Sequence, residues 1–223
     1  MNIPRCSCFL VDIDGTLTKY RQGAMLNLLH GNFLFPIIRD LMVESGWKKE
    51  KAEEAVGEYS NTNIFWDYPD FIAEFKLSSE EAFRRFRQWH AENIQPCEDG
   101  ITLVKKLYAD GKKLFIMSNN PYSGCIFKLQ TAGLADDDFQ SPYFERIFGT
   151  NILRGCKFVP GVWERACACI PAAKTEICVV GDNPTEDQEI PASCGITHSI
   201  LLKRNEIIRG IDQNKIRTEY GMV

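Results

Sequence analysis

Near the N-terminus the apolar run Cys8-Phe9-Leu10-Val11 leads directly into Asp12-Ile13-Asp14-Gly15-Thr16-Leu17-Thr18. An apolar run without alternation, closed by a turn signal, is the pattern of a strand buried on both faces of an α/β sheet. Ligands of such sheets bind beyond the carboxyl ends of the strands, where Asp12 and Asp14 stand. Residues i and i+2 of an extended strand project to one side, so both carboxylates share the same space. Like charges that close are unfavourable unless a cation or a proton lies between them. Gly15 permits a sharp turn and lets its amide approach an anion. A lone Asp-Gly would mark only a turn; the whole string after a buried strand points to a site.

Downstream of residue 96, strand-like and helix-like runs alternate, as in a parallel sheet with crossover helices. A helix is expected from Asp99 to Asp110, closed by Gly111, and a buried strand from Lys113 to Met117, ending at Ser118-Asn119-Asn120-Pro121. A second helix spans Ser123 to Ala132 with Gly133 as its stop, and Arg146 to Gly149 is a short strand. Pro160 opens a helix to Ile170. Glu176 to Val180 is a strand ending at Gly181-Asp182-Asn183-Pro184, and His198 to Leu202 is the last.

Between the first two strands lies a long stretch of helical character. Helices are expected over Phe35 to Glu44, Lys48 to Tyr59 and Trp66 to Leu77. Ser78-x-x-Glu81 has the form of a capping box ahead of a helix to Asn93, in which Phe83, Phe86 and His90 share one stripe. The chain therefore reads as a Rossmann-like α/β core, residues 1–18 and 96–223, with helices on both faces. A helical cap, residues 19–95, is inserted into it.

Composition narrows the partners. A chain of 223 residues, 44% hydrophobic, can bury one core and a small inserted domain. Its net charge of -4 offers no electrostatic footprint for nucleic acid. No apolar stretch has the length of a membrane span; the nearest, Ala24 to Ile38, is broken by Asn27, His30, Gly31, Asn32 and Pro36. The first residues lack the layout of a secretory signal, and the expected location is the cytoplasm. The nine cysteines form no CxxC pair, and several lie in apolar runs, as expected of reduced, mostly buried thiols.

Three strand ends thus carry polar groups able to converge: Asp12 with Asp14, Ser118 with Asn119, and Asp182. Lys157 follows the short strand. DIDGTLT, Ser118 after LFIM, Lys157, and Gly181-Asp182 with Asp187 together resemble the four motifs of the haloacid dehalogenase superfamily. The insertion resembles that of phosphoglycolate-phosphatase-like members with a helical cap. The resemblance implies a Mg²⁺-dependent phosphatase acting on a small phosphorylated metabolite; charge and hydropathy add the expectation of neither a nucleic-acid nor a membrane partner. A sugar phosphomutase and a binding or regulatory protein of weak turnover are the alternatives.

By the same resemblance Asp12 is the nucleophile that becomes an aspartyl-phosphate, and Asp14 protonates the leaving alkoxide and then activates water. Asp12, the Asp14 backbone carbonyl and Asp182 hold the metal. Thr16, Ser118, Asn119 and Lys157 bind the phosphoryl oxygens. Arg154 is the competing cation near Lys157. Asp187 either orients the metal's waters or pairs with Lys157. Dehalogenases of the superfamily lack the second acid, because a halide leaves without a proton, so Asp14 favours phosphoryl transfer.

The leaving group is not legible. Lys19, Tyr20 and Arg21 lie at the expected hinge. In the cap, Trp66 and Tyr68 are expected to pack, Arg84, Arg85 and Arg87 to form a solvated helix face, and His90 to be buried in the apolar stripe.

Overall fold

The computed structural model describes residues 5–21, 24 and 34–203. The polar tail after Arg204, and most of the interrupted apolar stretch that begins at Ala24, lie outside the described residues. The strands are β1 (Cys8–Val11), β2 (Thr18–Tyr20), β3 (Ile94–Pro96), β4 (Lys113–Met117), β5 (Phe144–Phe148), β6 (Ile177–Gly181) and β7 (His198–Leu201). Five of them form one sheet in the order β5-β4-β1-β6-β7, and every pairing in it is parallel. This is the expected Rossmann-like α/β core. β1 lies at its centre, with Val11 in register with Ile116 on one side and Val180 on the other.

Alternation along the strands explains why they are apolar throughout. Phe9, Val11, Leu114, Ile116, Cys178 and Val180 face one core, packed under α5 (Glu98–Ala109) and α6 (Tyr122–Thr131). Cys8, Leu10, Phe115, Met117, Ile177 and Val179 face the other, against Val162, Trp163 and Ala166 of α8 (Pro160–Cys167). Between β5 and α8 lies the single turn α7 (Thr150–Leu153).

The insertion holds α1 (Leu34–Glu44), α2 (Lys49–Thr62), α3 (Tyr68–Glu74) and α4 (Ser79–Asn93), which enclose a core of their own. Trp66 and Tyr68 pack there, and His90 is fully buried. Arg84 and Arg85 pair with Glu81 and Glu44 on the surface, whereas Arg87 reaches the Asp137 carbonyl. Phe127 of α6 reaches into this core and stacks on Tyr68, ring centroids 5.8 Å apart. No helix among the described residues is long and apolar enough to cross a membrane.

Several local expectations shift. The two ends of the insertion are joined by an antiparallel β2–β3 ribbon that three-residue strands left unannounced. α3 begins only at Tyr68 because Asp67 caps it, and it is here that a full capping box forms, with Asp70 reaching back to the Asp67 N–H at 2.7 Å. At Ser78 only half of the expected box is made: its hydroxyl accepts the Glu81 N–H at 3.4 Å. The Glu81 carboxylate is instead bound by Arg84 and Arg85 at 2.7 Å. α8 stops at Cys167, since Cys169 and Ile170 bond three residues back, in a tighter turn. All nine cysteines are free thiols, six of them buried.

Candidate active site

Asp12 leaves β1 with its N–H still bonded to the Val180 carbonyl at 2.8 Å, so the sheet's hydrogen bonding runs right up to the first acid. Gly15 then adopts φ +78°, and a Cβ there would run into the Asp182 carboxylate. A Cβ at Gly181 would likewise strike Asp187. The two glycines are thus the space into which two carboxylates fit.

Lys157 is buried between acids. Its Nζ donates to Asp12 Oδ1 at 2.6 Å and to Asp187 Oδ1 at 2.7 Å. The other Asp187 oxygen accepts the backbone N–H groups of Asp182 and Asn183, at 3.2 and 3.0 Å. Of the two tasks considered for Asp187, the geometry is that of pairing with Lys157. Arg154 is exposed, with its guanidinium over the Phe65 ring at 5.9 Å, and takes no part in this cluster.

Asp14 turns to a different lysine. Lys128 of α6, itself buried, donates to Asp14 Oδ1 at 2.6 Å, and Asn120 Nδ2 donates to Asp14 Oδ2 at 2.5 Å. Asn120 also donates to Ser118 Oγ at 2.8 Å, tying the second strand end to the first. Asp14's side chain nevertheless remains 39% exposed.

The remaining expected site residues divide. Thr16, fully buried, donates from Oγ1 to Asp12 Oδ2 at 3.4 Å. Ser118 is buried and accepts from Asn120. Asn119 stands at the same strand end, but its side chain is committed elsewhere: Oδ1 accepts the Lys157 N–H at 2.7 Å and Nδ2 donates to Glu186 at 2.7 Å. A side chain so engaged holds the Lys157 loop, with one Nδ2 N–H on Glu186 and Oδ1 on the Lys157 N–H. Lys128, Asn120 and Glu186 were not foreseen. Lys128 carried one usable signal, a single charge within the otherwise small and apolar run from Ser123 to Leu129.

Electrostatics separates the two acids. Burial drives the Asp12 carboxyl well above the usual range; Lys157 opposes this, and Asp187 and Asp14 add to it. At Asp14 enclosure also acts upward, but the Lys128 ammonium and the hydrogen bonds from Lys128 and Asn120 outweigh it, holding the group below the ordinary carboxylate value. One carboxylate oxygen each from Asp12, Asp182 and Asp187 lies within 4.8 Å of the others. Carboxylates at this spacing, offering only hard oxygen donors, fit Mg²⁺.

A family model described as haloacid dehalogenase-like hydrolase matches residues 6–195. Comparison with curated proteins gave no match. Among solved structures, a HAD phosphatase from Thermococcus onnurineus is similar at 23% identity and TM-score 0.54, covering 96% of this chain and 98% of its own. The hydrolase YfnB of Bacillus subtilis, in a magnesium-bound form, is 19% identical at TM-score 0.53, with 91% and 90% covered. A dehalogenase with an intermediate complex is 16% identical at TM-score 0.54, with 92% and 88% covered. At these identities the likeness concerns the fold, which phosphatase and dehalogenase share.

Proposed function

The chain belongs to the haloacid dehalogenase-like hydrolases, and from that premise we propose that it is a Mg²⁺-dependent phosphatase of small phosphorylated metabolites, working through an aspartyl-phosphate on Asp12. The observation that carries this reading is the second acid. Asp14 stands two residues beyond Asp12, has its own cationic partner, and keeps its side chain 39% exposed. A departing halide needs no proton, whereas an alkoxide does, so such a group serves phosphoryl transfer.

Asp12 attacks phosphorus and the P–O bond to the leaving group breaks; Asp14, which takes up a proton as substrate binds, gives it to the alkoxide and returns to the carboxylate that Lys128 and Asn120 hold. Asp14 then removes a proton from water as that water attacks the phosphoenzyme, which releases phosphate and restores Asp12. The Lys157 ammonium, with two N–H donors on Asp12 and Asp187, has a third to direct at a phosphoryl oxygen. Ser118 and the backbone of Asn119 line the same strand end. Asp12 and Asp182, with the Asp14 backbone carbonyl, would hold Mg²⁺, which screens the repulsion between carboxylate and phosphate and balances charge in the transition state. Transfer of this kind depends chiefly on positioning and charge neutralisation, which a small set of residues supplies.

The test is phosphate release from a panel of phosphorylated metabolites with Mg²⁺, comparing wild type with Asp12→Asn. Asp12-dependent release that chelation abolishes and Mg²⁺ restores is the expected result. Its absence across a broad panel would overturn the reading.

A further inference from the structure

Helix α6 has almost no polar face. Every residue from Ser123 to Leu129 is buried: Cys125, Ile126 and Leu129 against the sheet, Phe127 in the helical insertion. Lys128 is the one charged side chain in that run, and it is only 1% exposed. A buried ammonium needs acceptors for its three protons. Lys128 meets Asp14 Oδ1 at 2.6 Å, Asn120 Oδ1 at 2.9 Å and the Tyr20 hydroxyl at 3.5 Å. Asn120 in turn grips the other Asp14 oxygen. Asp14, Lys128 and Asn120 therefore close a ring of hydrogen bonds in which both carboxylate oxygens are held by donors that are bonded to each other.

With its donors already taken, Lys128 is not placed to bind substrate; whatever it does passes through Asp14. We propose that Lys128 is a positioning residue. With Asn120 it fixes the Asp14 carboxylate toward the leaving group and keeps it from competing with Asp12 for Lys157, so that each acid has its own lysine. The Tyr20 contact ties the same ring to the β2–β3 ribbon at the root of the insertion. This proposal rests on Asp14 serving the leaving group.

A double-mutant cycle with Asp14→Asn tests it, because residues acting through one another are non-additive. Lys128→Met should lower kcat about 10- to 100-fold on alkyl phosphates while KM moves less than about threefold. Lys128→Arg should recover most of that loss, and Lys128→Met should cost nothing further on the Asp14→Asn background. Wild-type turnover in Lys128→Met, or losses that multiply in the double variant, would overturn the proposal. Should Lys128→Met not fold, Asn120→Leu must show the same non-additivity with Asp14→Asn, and multiplying losses there count equally against it. Failure of the phosphatase reading is distinct: it appears as wild type without Asp12-dependent phosphate release. In that event the ring is still decided by denaturation of the same variants. A coupling of at least about tenfold in the unfolding constant between Lys128 and Asp14 is required, and independence of the two refutes it.

Discussion

Asp67 of the helical insertion accepts the backbone N–H of Ser123, in the first turn of core helix α6, on both carboxylate oxygens at 3.1 Å. The same carboxylate accepts the Tyr68 N–H at 2.8 Å, the Ser123 hydroxyl at 3.1 Å and Asn151 Nδ2 at 3.3 Å. One buried acid thus caps two helices, one on each side of the junction between insertion and core. Asp67→Ala removes a cap and strands several buried donors, so the expected loss is about 3 kcal/mol. A urea midpoint lowered at unchanged m-value is the measurement. A loss under about 0.5 kcal/mol, the range of ordinary surface changes, would show that water serves these donors equally well.

Lys157 separates Asp12 from Asp187, and removing it should be costly twice over. Burial alone would depress this ammonium, but Asp12 and Asp187 hold it far above the ordinary lysine value, so it is charged throughout the working range. Lys157→Met leaves two buried carboxylates facing each other, a change of the kind that costs about 3–5 kcal/mol. Turnover should fall at least about 100-fold. Arg154→Ala, by contrast, should keep turnover within about threefold, since that guanidinium lies over Phe65 and away from the acids. Assays of both variants on one substrate decide it; a large loss in Arg154→Ala with little in Lys157→Met would reverse the assignment.

What the sequence disclosed follows from where information is local. β1, β4 and β6 are buried on both faces and so read as unbroken apolar runs, which places Asp12, Ser118 and Asp182 at neighbouring strand ends. The β2–β3 ribbon did not show, because two three-residue strands carry no periodicity and one ends in Pro96. Lys128 was hidden for another reason. A lysine in a helical run reads as a solvated position, and only the tertiary contacts with Asp14, Asn120 and Tyr20, distant in sequence from it or placed by the fold, show it buried. Asn119 was recognisable as a site residue, but the direction of its side chain depends on the Lys157 and Glu186 loops, distant in sequence.

Gly15 offers a test of how the loop after β1 is built. Alanine there meets two penalties, the left-handed φ of +78° and collision with the Asp182 carboxylate. Gly111 has a similar φ of +72° but open space around its Cβ position. Gly111→Ala should therefore cost only the backbone term, about 1–2 kcal/mol, and leave turnover unchanged. Gly15→Ala should lose at least that much stability and, with Asp182 displaced, fall about 100-fold or more in turnover. Equal turnover in the two variants, measured at saturating Mg²⁺, would show that the loop can yield without disturbing Asp182.

His90 should make the fold sensitive to mild acid. Its ring is fully buried in the insertion, with Nδ1 2.7 Å from the Phe86 carbonyl. Burial lowers its pKa from 6.5 to about 3; the Phe86 bond and Asp14 act upward and Lys128 downward. Between those two values the unfolded chain carries a proton that the folded chain refuses, so stability rises with pH across this window and is lost as pH falls below about 6.5. The limiting slope is about 1.4 kcal/mol per pH unit, and the contribution between pH 7 and pH 5 is about 2 kcal/mol. His90→Phe removes the titrating group while keeping a ring among Tyr68, Trp89 and Phe127. Urea denaturation of both proteins at pH 7 and pH 5 should show the variant losing about 2 kcal/mol less than wild type over this interval. Parallel losses would mean that the ring is reached by water or protons without unfolding, and that the packing around His90 opens readily.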